Sequence, residues 1–312
     1  MDLDLTFLGT GGSVPSARRS TASLLIRAGG ERLMIDCGEG TQRQMQRSMG
    51  IVQVDDILLT HFHADHILGV PGLLSTYGLH DRERPLRIVG PRGLGELIGA
   101  LRRSLIGRLP YELEIVELAD GDSVRGEGFE VYAFEVEHRT KALGYAWVED
   151  DRPGRLDPEA AARLGVRPGP DFGRLQRGES VAGSGGEVRP EQVVGETRRG
   201  RRIVATGDTR PCRMTAIAAE SAELLVHDAT FDDSDADRAV ETGHSTAREA
   251  ARLAAAAGVS TLALVHISSR FHVGRLLDEA REEFPGALAP RDFDAIEIPL
   301  PERGEPRLVE PA

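Results

Sequence analysis

Short apolar runs bounded by turn residues recur along the first half of the chain, at Leu3 to Leu8, Ser23 to Ile26, Arg32 to Ile35, Ile57 to Thr60, Arg87 to Val89, Glu114 to Leu118 and Glu130 to Val136. Their lengths and their bounding turn residues predict strands. A second series, Arg202 to Thr206, Leu224 to Val226, Thr261 to Val265 and Ala295 to Ile298, is interleaved with segments of helical period. Helices are predicted over Ile67 to Leu79, Pro91 to Ile106, Ala247 to Ala257 and Val273 to Phe284. The third has the firmest ends. Thr246-Ala-Arg-Glu249 forms a capping-box pattern, and Gly258 permits the left-handed turn that stops the helix. Two α/β halves are implied.

The stretch between them, about residues 150–201, has a different texture. Pro153-Gly154, Pro168-Gly169-Pro170 and Gly183-Ser-Gly-Gly186 interrupt it, and no apolar period is sustained. It reads as an insertion, 150–201, into a domain made of 1–149 and 202–312, with a weakly ordered loop as the alternative. From Asp150 to Arg202 it carries eleven Arg against nine Asp plus Glu, an excess of two positive charges in a chain of net charge −12. The overall acidity argues against a general nucleic-acid binder, so a polyanion would have to meet a local patch. Lys141 is the only lysine, so nearly all positive charge is guanidinium.

No window approaches the ~18 apolar residues that suggest a spanning helix, and Met1-Asp2-Leu3-Asp4 lacks the basic and apolar regions of a secretory signal. Neither a membrane span nor signal-peptide export is expected. Cys37 and Cys212, the only cysteines, exclude a disulfide framework and suit a reduced cytoplasmic protein.

The densest chemistry is His61-Phe-His63-Ala-Asp65-His66, directly after the apolar Ile57-Leu58-Leu59. If the strand continues through His61 and His63, both imidazoles face one side and one ion. Asp65 and His66, at the turn into the next helix, then face a second. Imidazole and carboxylate without thiolate suit Zn²⁺, with Fe or Mn as alternatives. A solvated His-rich loop is the bland alternative. His138, Asp208 and His266 each stand just past a predicted strand. Such positions converge on one crevice in α/β sheets, so three residues that are ordinary turn chemistry singly gain weight beside the cluster.

With these residues in place, the chain resembles the metallo-β-lactamase fold and, within it, ribonuclease Z, the tRNA 3′-processing endonucleases. The motifs are Leu8-Gly-Thr-Gly-Gly-Ser-Val-Pro15, Ile35-Asp-Cys-Gly-Glu-Gly-Thr-Gln42, His61-Phe-His-Ala-Asp-His66, Gly207-Asp-Thr-Arg-Pro211, His227-Asp-Ala-Thr230, Gly243-His-Ser-Thr246 and His266-Ile-Ser-Ser-Arg270. The HxHxDH element marks the superfamily; the last three motifs and the insertion narrow it.

The resemblance implies an α/β fold, a four-layer αβ/βα sandwich with a protruding arm, holding two Zn²⁺ per subunit. His61, His63 and His138 would hold one ion, Asp65, His66 and His266 the other, with Asp208 bridging. Asp36 would support the ligands or serve structure alone. Water activated by the ions would attack phosphorus in line, leaving a 3′-hydroxyl on the tRNA. His244 would be the general acid, oriented by Asp228, where most of the family has Glu, and Asp65 would assist as proton acceptor. Arg270 would meet a phosphate or be a plain surface arginine.

In the arm, Arg163, Arg167, Gly169, Pro170, Arg174 and Arg177 would grip the tRNA backbone, Phe172 being the only aromatic there. A homodimer, one arm serving the other subunit's centre, is implied as well. Two departures from the family pattern stand out. Pro15-Ser-Ala-Arg-Arg-Ser20 has Ala17 and Ser20 in place of the Lys and Asn of PxKxRN, and the segment after His138 lacks a proline. The expected activity is removal of the 3′ trailer from precursor tRNA in the cytoplasm. Alternatives are a hydrolase of a small phosphodiester or ester with the same metals, and a noncatalytic RNA-binding module.

Overall fold

A computed structural model describes residues 1–309, in two compact units: Met1–Val148 with the chain from Arg202 onward, and Glu149–Arg201. The first unit holds two sheets. The eight-stranded sheet runs in the order Arg307–Val309, Ala295–Glu297, Leu3–Gly9, Ser23–Ala28, Glu31–Ile35, Asp56–Leu58, Leu86–Pro91, Leu113–Leu118. Pairing is antiparallel up to Glu31–Ile35 and parallel beyond it. The seven-stranded sheet runs Ala287–Leu288, Thr261–Val265, Leu224–Asp228, Arg202–Ala205, Leu143–Glu149, Phe129–Glu135, Ser123–Gly126. Its first four strands are parallel.

Side chains alternate across each strand, and this period of two sorts them into layers. Leu24 and Ile26 join Phe7, Phe129, Trp147 and Ile203 in a core shared by both sheets. Leu25, Met34 and Ile57 face the other way, onto Leu73 and Leu74 of the helix Val70–Leu79. On the second sheet Val204, Leu225 and Leu262 face Ala250 and Ala254 of the helix Ala247–Ala257. The result is helix, sheet, sheet, helix. Strands buried on both faces read as continuous apolar runs, which is why they stood out in the sequence.

The capping box forms: Glu249 N donates to Thr246 Oγ1 at 3.2 Å and Thr246 N to Glu249 Oε2 at 2.9 Å, with Gly258 at φ +66°. Elsewhere the expectations need correction. Pro91 ends a strand, and after Gly93 at φ +101° the helix is Leu94–Leu101, followed by a π-helical turn at Arg102–Ile106. The helical stretch at Ile67 to Leu79 is two helices, Ala64–Ile67 and Val70–Leu79. The strand expected to carry His61 and His63 stops at Leu58. Its ladder ends because the Asp36 carboxylate takes the Thr60 amide at 2.8 Å, so the two histidines lie in a loop. Cys37 is buried in the helix-side core, where burial pushes its thiol up to about 12, and both cysteines are free.

The second unit has order of its own. Asp157 caps the helix Pro158–Arg163 by accepting from Glu159 N and Ala160 N; the helix Pro170–Gln176 and the hairpin Val181–Gly183 with Gly186–Val188 follow. Ala161, Val166, Leu175, Val181, Val188 and Val193 form a small buried core. At its stem Arg152 and Arg198 exchange backbone bonds of 2.8 Å, and the Arg201 guanidinium meets the Glu149 carboxylate twice at 2.7 Å. Phe172 packs against this core.

Candidate metal centre

The loop ends of both sheets in the first unit gather the predicted ligands. Imidazole nitrogens of His61, His63 and His138 and a carboxylate oxygen of Asp208 all lie within 4.8 Å of one another, and so do ligand atoms of Asp65, His66 and His266. Asp208 stands between the two groups. Its Oδ2 is 3.6 Å from His61 Nε2, and its Oδ1 is 3.2 Å from His66 Nε2 and 3.3 Å from His266 Nε2. Asp65 Oδ2 is 3.2 Å from His266 Nε2, and His63 Nδ1 is 3.3 Å from His138 Nε2.

Four of the five imidazoles are held from behind. His61 Nδ1 meets Thr60 Oγ1 at 3.0 Å, His66 Nδ1 meets Asp36 Oδ2 at 2.7 Å, His138 Nδ1 meets the Gly243 carbonyl at 2.7 Å and His266 Nδ1 meets Thr230 Oγ1 at 2.8 Å. Each bond fixes a ring and turns Nε2 toward the cluster, the arrangement that orients metal ligands. Backbone strain contributes. Asp36 and His266 both sit at φ +59°, which side chains rarely adopt, and Gly12 lies so close to His266 that a Cβ would fall 2.5 Å from its carbonyl oxygen. The Ser13 amide, also from that glycine-rich loop, donates to Asp65 Oδ2 at 2.8 Å.

Burial and opposite charges set the protonation states. Burial holds His61, His63 and His138 below the ordinary imidazole range. For His66 burial acts the same way, but Asp208 and Asp36 outweigh it and raise the ring well above that range. Burial opposes the charge of Asp208, yet His266 and His66 beside it keep the carboxyl well below the usual value, and Asp65 is likewise held low by His266 and His66 against its burial. Neutral His61, His63 and His138 and the ionised carboxylates are in the states metal ligands require, while His66 gives up its proton when it takes a metal.

The donor set leaves polar atoms without partners. His61 Nε2, His66 Nε2 and Asp208 Oδ1 are buried and lack any hydrogen bond. All three face one another across the cluster. Orphaned buried polar atoms are rare and costly, on the order of 1–3 kcal/mol each, and a divalent cation would satisfy them together. The residues fit a metal cofactor.

His244 lies beside this cluster, its ring stacked on that of His266 with centroids 5.1 Å apart. Its Nδ1 meets Asp228 Oδ2 at 2.7 Å. Burial opposes charge on the imidazole, but Asp228 outweighs it and raises the ring to about 9. Asp228 is itself fully buried and held by the Thr209 amide and by the amide and hydroxyl of Thr230. The shorter carboxylate therefore reaches His244 without difficulty.

The metallo-beta-lactamase superfamily model matches residues 17–266. Ribonuclease Z of Halorubrum lacusprofundi is 48% identical over 98% of this chain and 100% of its own length, and that of Myxococcus xanthus 48% identical over 96% and 99%. This chain belongs to the ribonuclease Z family. The crystal structure of human tRNase Z, short form, agrees with a TM-score of 0.68 at 28% identity, covering 95% of this chain and 99% of that one. The metallo-beta-lactamase fold protein YhfI from Bacillus subtilis, at TM-score 0.70 and 18% identity over 95% and 99%, supports the fold.

The remaining residues expected to serve a ribonuclease Z substrate are spread out. Arg163 and Arg167 are exposed and without an ion pair among the described residues. Arg174 pairs with Asp171 and Glu179, and Arg177 with Glu179, so their charge is partly neutralised. Gly169 and Pro170 open the helix Pro170–Gln176 on the surface. Arg270 pairs with Asp235 at 2.8 Å and lies over Phe271.

A groove of about 930 Å³ in the first unit was not foreseen. It is lined by Ile267, which follows His266 in the chain, and by exposed Arg18, Arg47 and Arg291, with Arg47 5.0 Å over the Phe293 ring. Arg19 points inward instead, bonding Thr10 and the Pro290 carbonyl. Half-buried Asp292 ties the groove wall together by accepting from Thr10, Ser20 and Gln44. These arginines are scattered through the sequence; Arg18 lies in the Pro15–Ser20 segment, and no local pattern joins it to Arg47 and Arg291. Thr60, Thr230 and Gly243 likewise escaped notice as supports of the cluster, although two of them fall inside quoted motifs.

Proposed function

We propose that this chain is a zinc-dependent endoribonuclease that removes the 3′ trailer from precursor tRNA, using two ions per subunit, in the cytoplasm and as a homodimer. The observation carrying this reading is the convergence of the orphaned His61 Nε2, His66 Nε2 and Asp208 Oδ1 beside the His244–Asp228 pair. His61, His63 and His138 would hold one ion, Asp65, His66 and His266 the second, and Asp208, with one oxygen facing each group, both. When bound, the ions supply Lewis acidity toward water and the scissile phosphate.

The protein's own groups do the rest. Thr60, Asp36, Gly243 and Thr230 keep the imidazoles turned inward. Asp228 holds the His244 ring through Nδ1, leaving Nε2 as the nitrogen that donates a proton to the departing 3′-oxygen. The negative charge of Asp228 keeps that proton available at neutral pH. Asp65, fixed by the Ser13 amide, accepts the proton of the attacking water. Arg18, Arg47 and Arg291 meet RNA phosphates beside the cleaved bond, and Arg163, Arg167, Arg174, Arg177, Gly169 and Pro170 contact the tRNA body.

The test is incubation with a 3′-extended tRNA, with and without chelator, alongside His63→Ala and a deletion of residues 155–198. Chelation and His63→Ala abolish cleavage; the deletion abolishes tRNA cleavage but spares hydrolysis of bis(p-nitrophenyl) phosphate. Cleavage that persists after chelation and in His63→Ala refutes the mechanism, and tRNA cleavage that survives the deletion refutes the role of the arm. Sedimentation reads the oligomeric state.

A further inference from the structure

We propose that Arg210 is the positioning residue for His244, acting on its backbone and through Glu249; this rests on the reading of His244 as proton donor. Arg210 follows Asp208, the central carboxylate, by two residues. Its amide donates to the Glu137 carbonyl at 2.7 Å, next to His138. Its Nη1 donates to the His244 carbonyl and to Glu249 Oε2, both at 2.7 Å, while Nη2 reaches Glu249 Oε1. Glu249 also holds the Thr246 amide at 2.9 Å, and the Ser245 hydroxyl donates to the Thr209 carbonyl at 2.6 Å.

Arg210 thus ties together three segments that arrive from distant parts of the chain, its amide reaching one and its guanidinium another. They carry Asp208, His138 and His244. The two peptide carbonyls around His244 are both taken, that of Gly243 by His138 and that of His244 by Arg210. Gly243, at φ +74°, makes the turn from which both are presented as acceptors. Asp228 orients the ring and Arg210 anchors the backbone from which the ring hangs. The task needs a fork: a lysine ammonium cannot hold the carbonyl and both carboxylate oxygens in one plane. Arg210 Nη1 and Nη2 are engaged by these acceptors, and the side chain is 16% exposed, so it acts through His244 and not on the substrate.

A displacement of the proton donor by about 1 Å costs on the order of 10²-fold in rate. Arg210→Met keeps the stem and removes the fork. On 3′-extended tRNA, whose 3′-oxygen must be protonated as it leaves, kcat is expected to fall about 10- to 100-fold with KM little changed. On bis(p-nitrophenyl) phosphate, whose nitrophenolate leaves without a proton, the loss is expected to be under about threefold. Glu249→Gln, which keeps the shape and weakens the clamp, shows the same selectivity at smaller amplitude and serves if Arg210→Met does not fold.

In a His244→Ala background, Arg210→Met adds no further loss on tRNA. Equal losses on the two substrates, or additive losses in the double variant, overturn the proposal while leaving His244 as proton donor. If His244→Ala by itself slows both substrates equally, the proton-donor reading falls and the proposal falls with it.

Discussion

Replacing Arg201 by methionine is expected to loosen the stem of the Glu149–Arg201 unit at neutral pH and to do so much less in mild acid. The two side chains are 2% and 5% exposed, and the guanidinium makes two bonds of 2.7 Å to the carboxylate, with the Arg201 amide adding a third at 3.2 Å. Removing one partner of such a pair strands a buried charge, at a cost of about 3–5 kcal/mol. Burial by itself pushes the Glu149 carboxyl up, but the Arg201 bonds and charge outweigh it and hold it below its ordinary 4.5. A carboxylate depressed in this way contributes stability above the unfolded value that is lost as pH falls through the folded one.

In Arg201→Met the guanidinium bonds and charge are gone and burial, the largest influence, outweighs what lowering is left, so the Glu149 pKa rises instead. The variant is then penalised at neutral pH and recovers as Glu149 takes up a proton. The readout is hydrogen exchange and limited proteolysis of residues 150–200 at pH 7 and about pH 5. A loss of about 3 kcal/mol raises the open population at pH 7 more than a hundredfold, with a smaller ratio to wild type at the lower pH. Equal protection of the two proteins at pH 7, or a defect that does not shrink toward acid, would refute the reasoning.

Three other expectations follow from single contacts. Gly12→Ala places a Cβ 2.5 Å from the His266 carbonyl oxygen and 2.6 Å from its Nδ1, so zinc titration calorimetry should show affinity about 10- to 100-fold weaker, with about 1–3 kcal/mol of stability lost. Asp228→Asn forfeits the charge-assisted bond to His244, worth about 1.5–3 kcal/mol in thermal unfolding, and lowers single-turnover cleavage by at least about 10²-fold. Alanine at Arg18, Arg47 or Arg291 weakens precursor-tRNA binding and reduces the slope of log affinity against log salt by about 1 for each phosphate contact removed.

Much of the centre was written locally. His61 to His66 is one contiguous run, and Asp208 and His266 each follow an apolar strand, so ligand chemistry and strand ends could be read together from the chain. The capping box of Thr246 and Glu249 was equally local, because its partners are one helical turn apart. The strand through His61 and His63 was misjudged for the converse reason. What ends it is Asp36, a side chain 24 residues earlier whose reach to Thr60 depends on how two strands pair.

The small core of the 150–201 segment also lay beyond a pattern search, since Ala161, Leu175 and Val193 are too far apart to show a period and meet only when the segment folds. Sequence by itself determined the kinds of ligand, the strand ends that bear them and the layered α/β class. Only the tertiary structure decided that each imidazole presents Nε2 or Nδ1, that Asp208 turns one oxygen to each group, and that Arg18, Arg47 and Arg291 share one groove. Directions and distances between residues far apart in the chain are set by sheet pairing and packing, and these have no local signature to read.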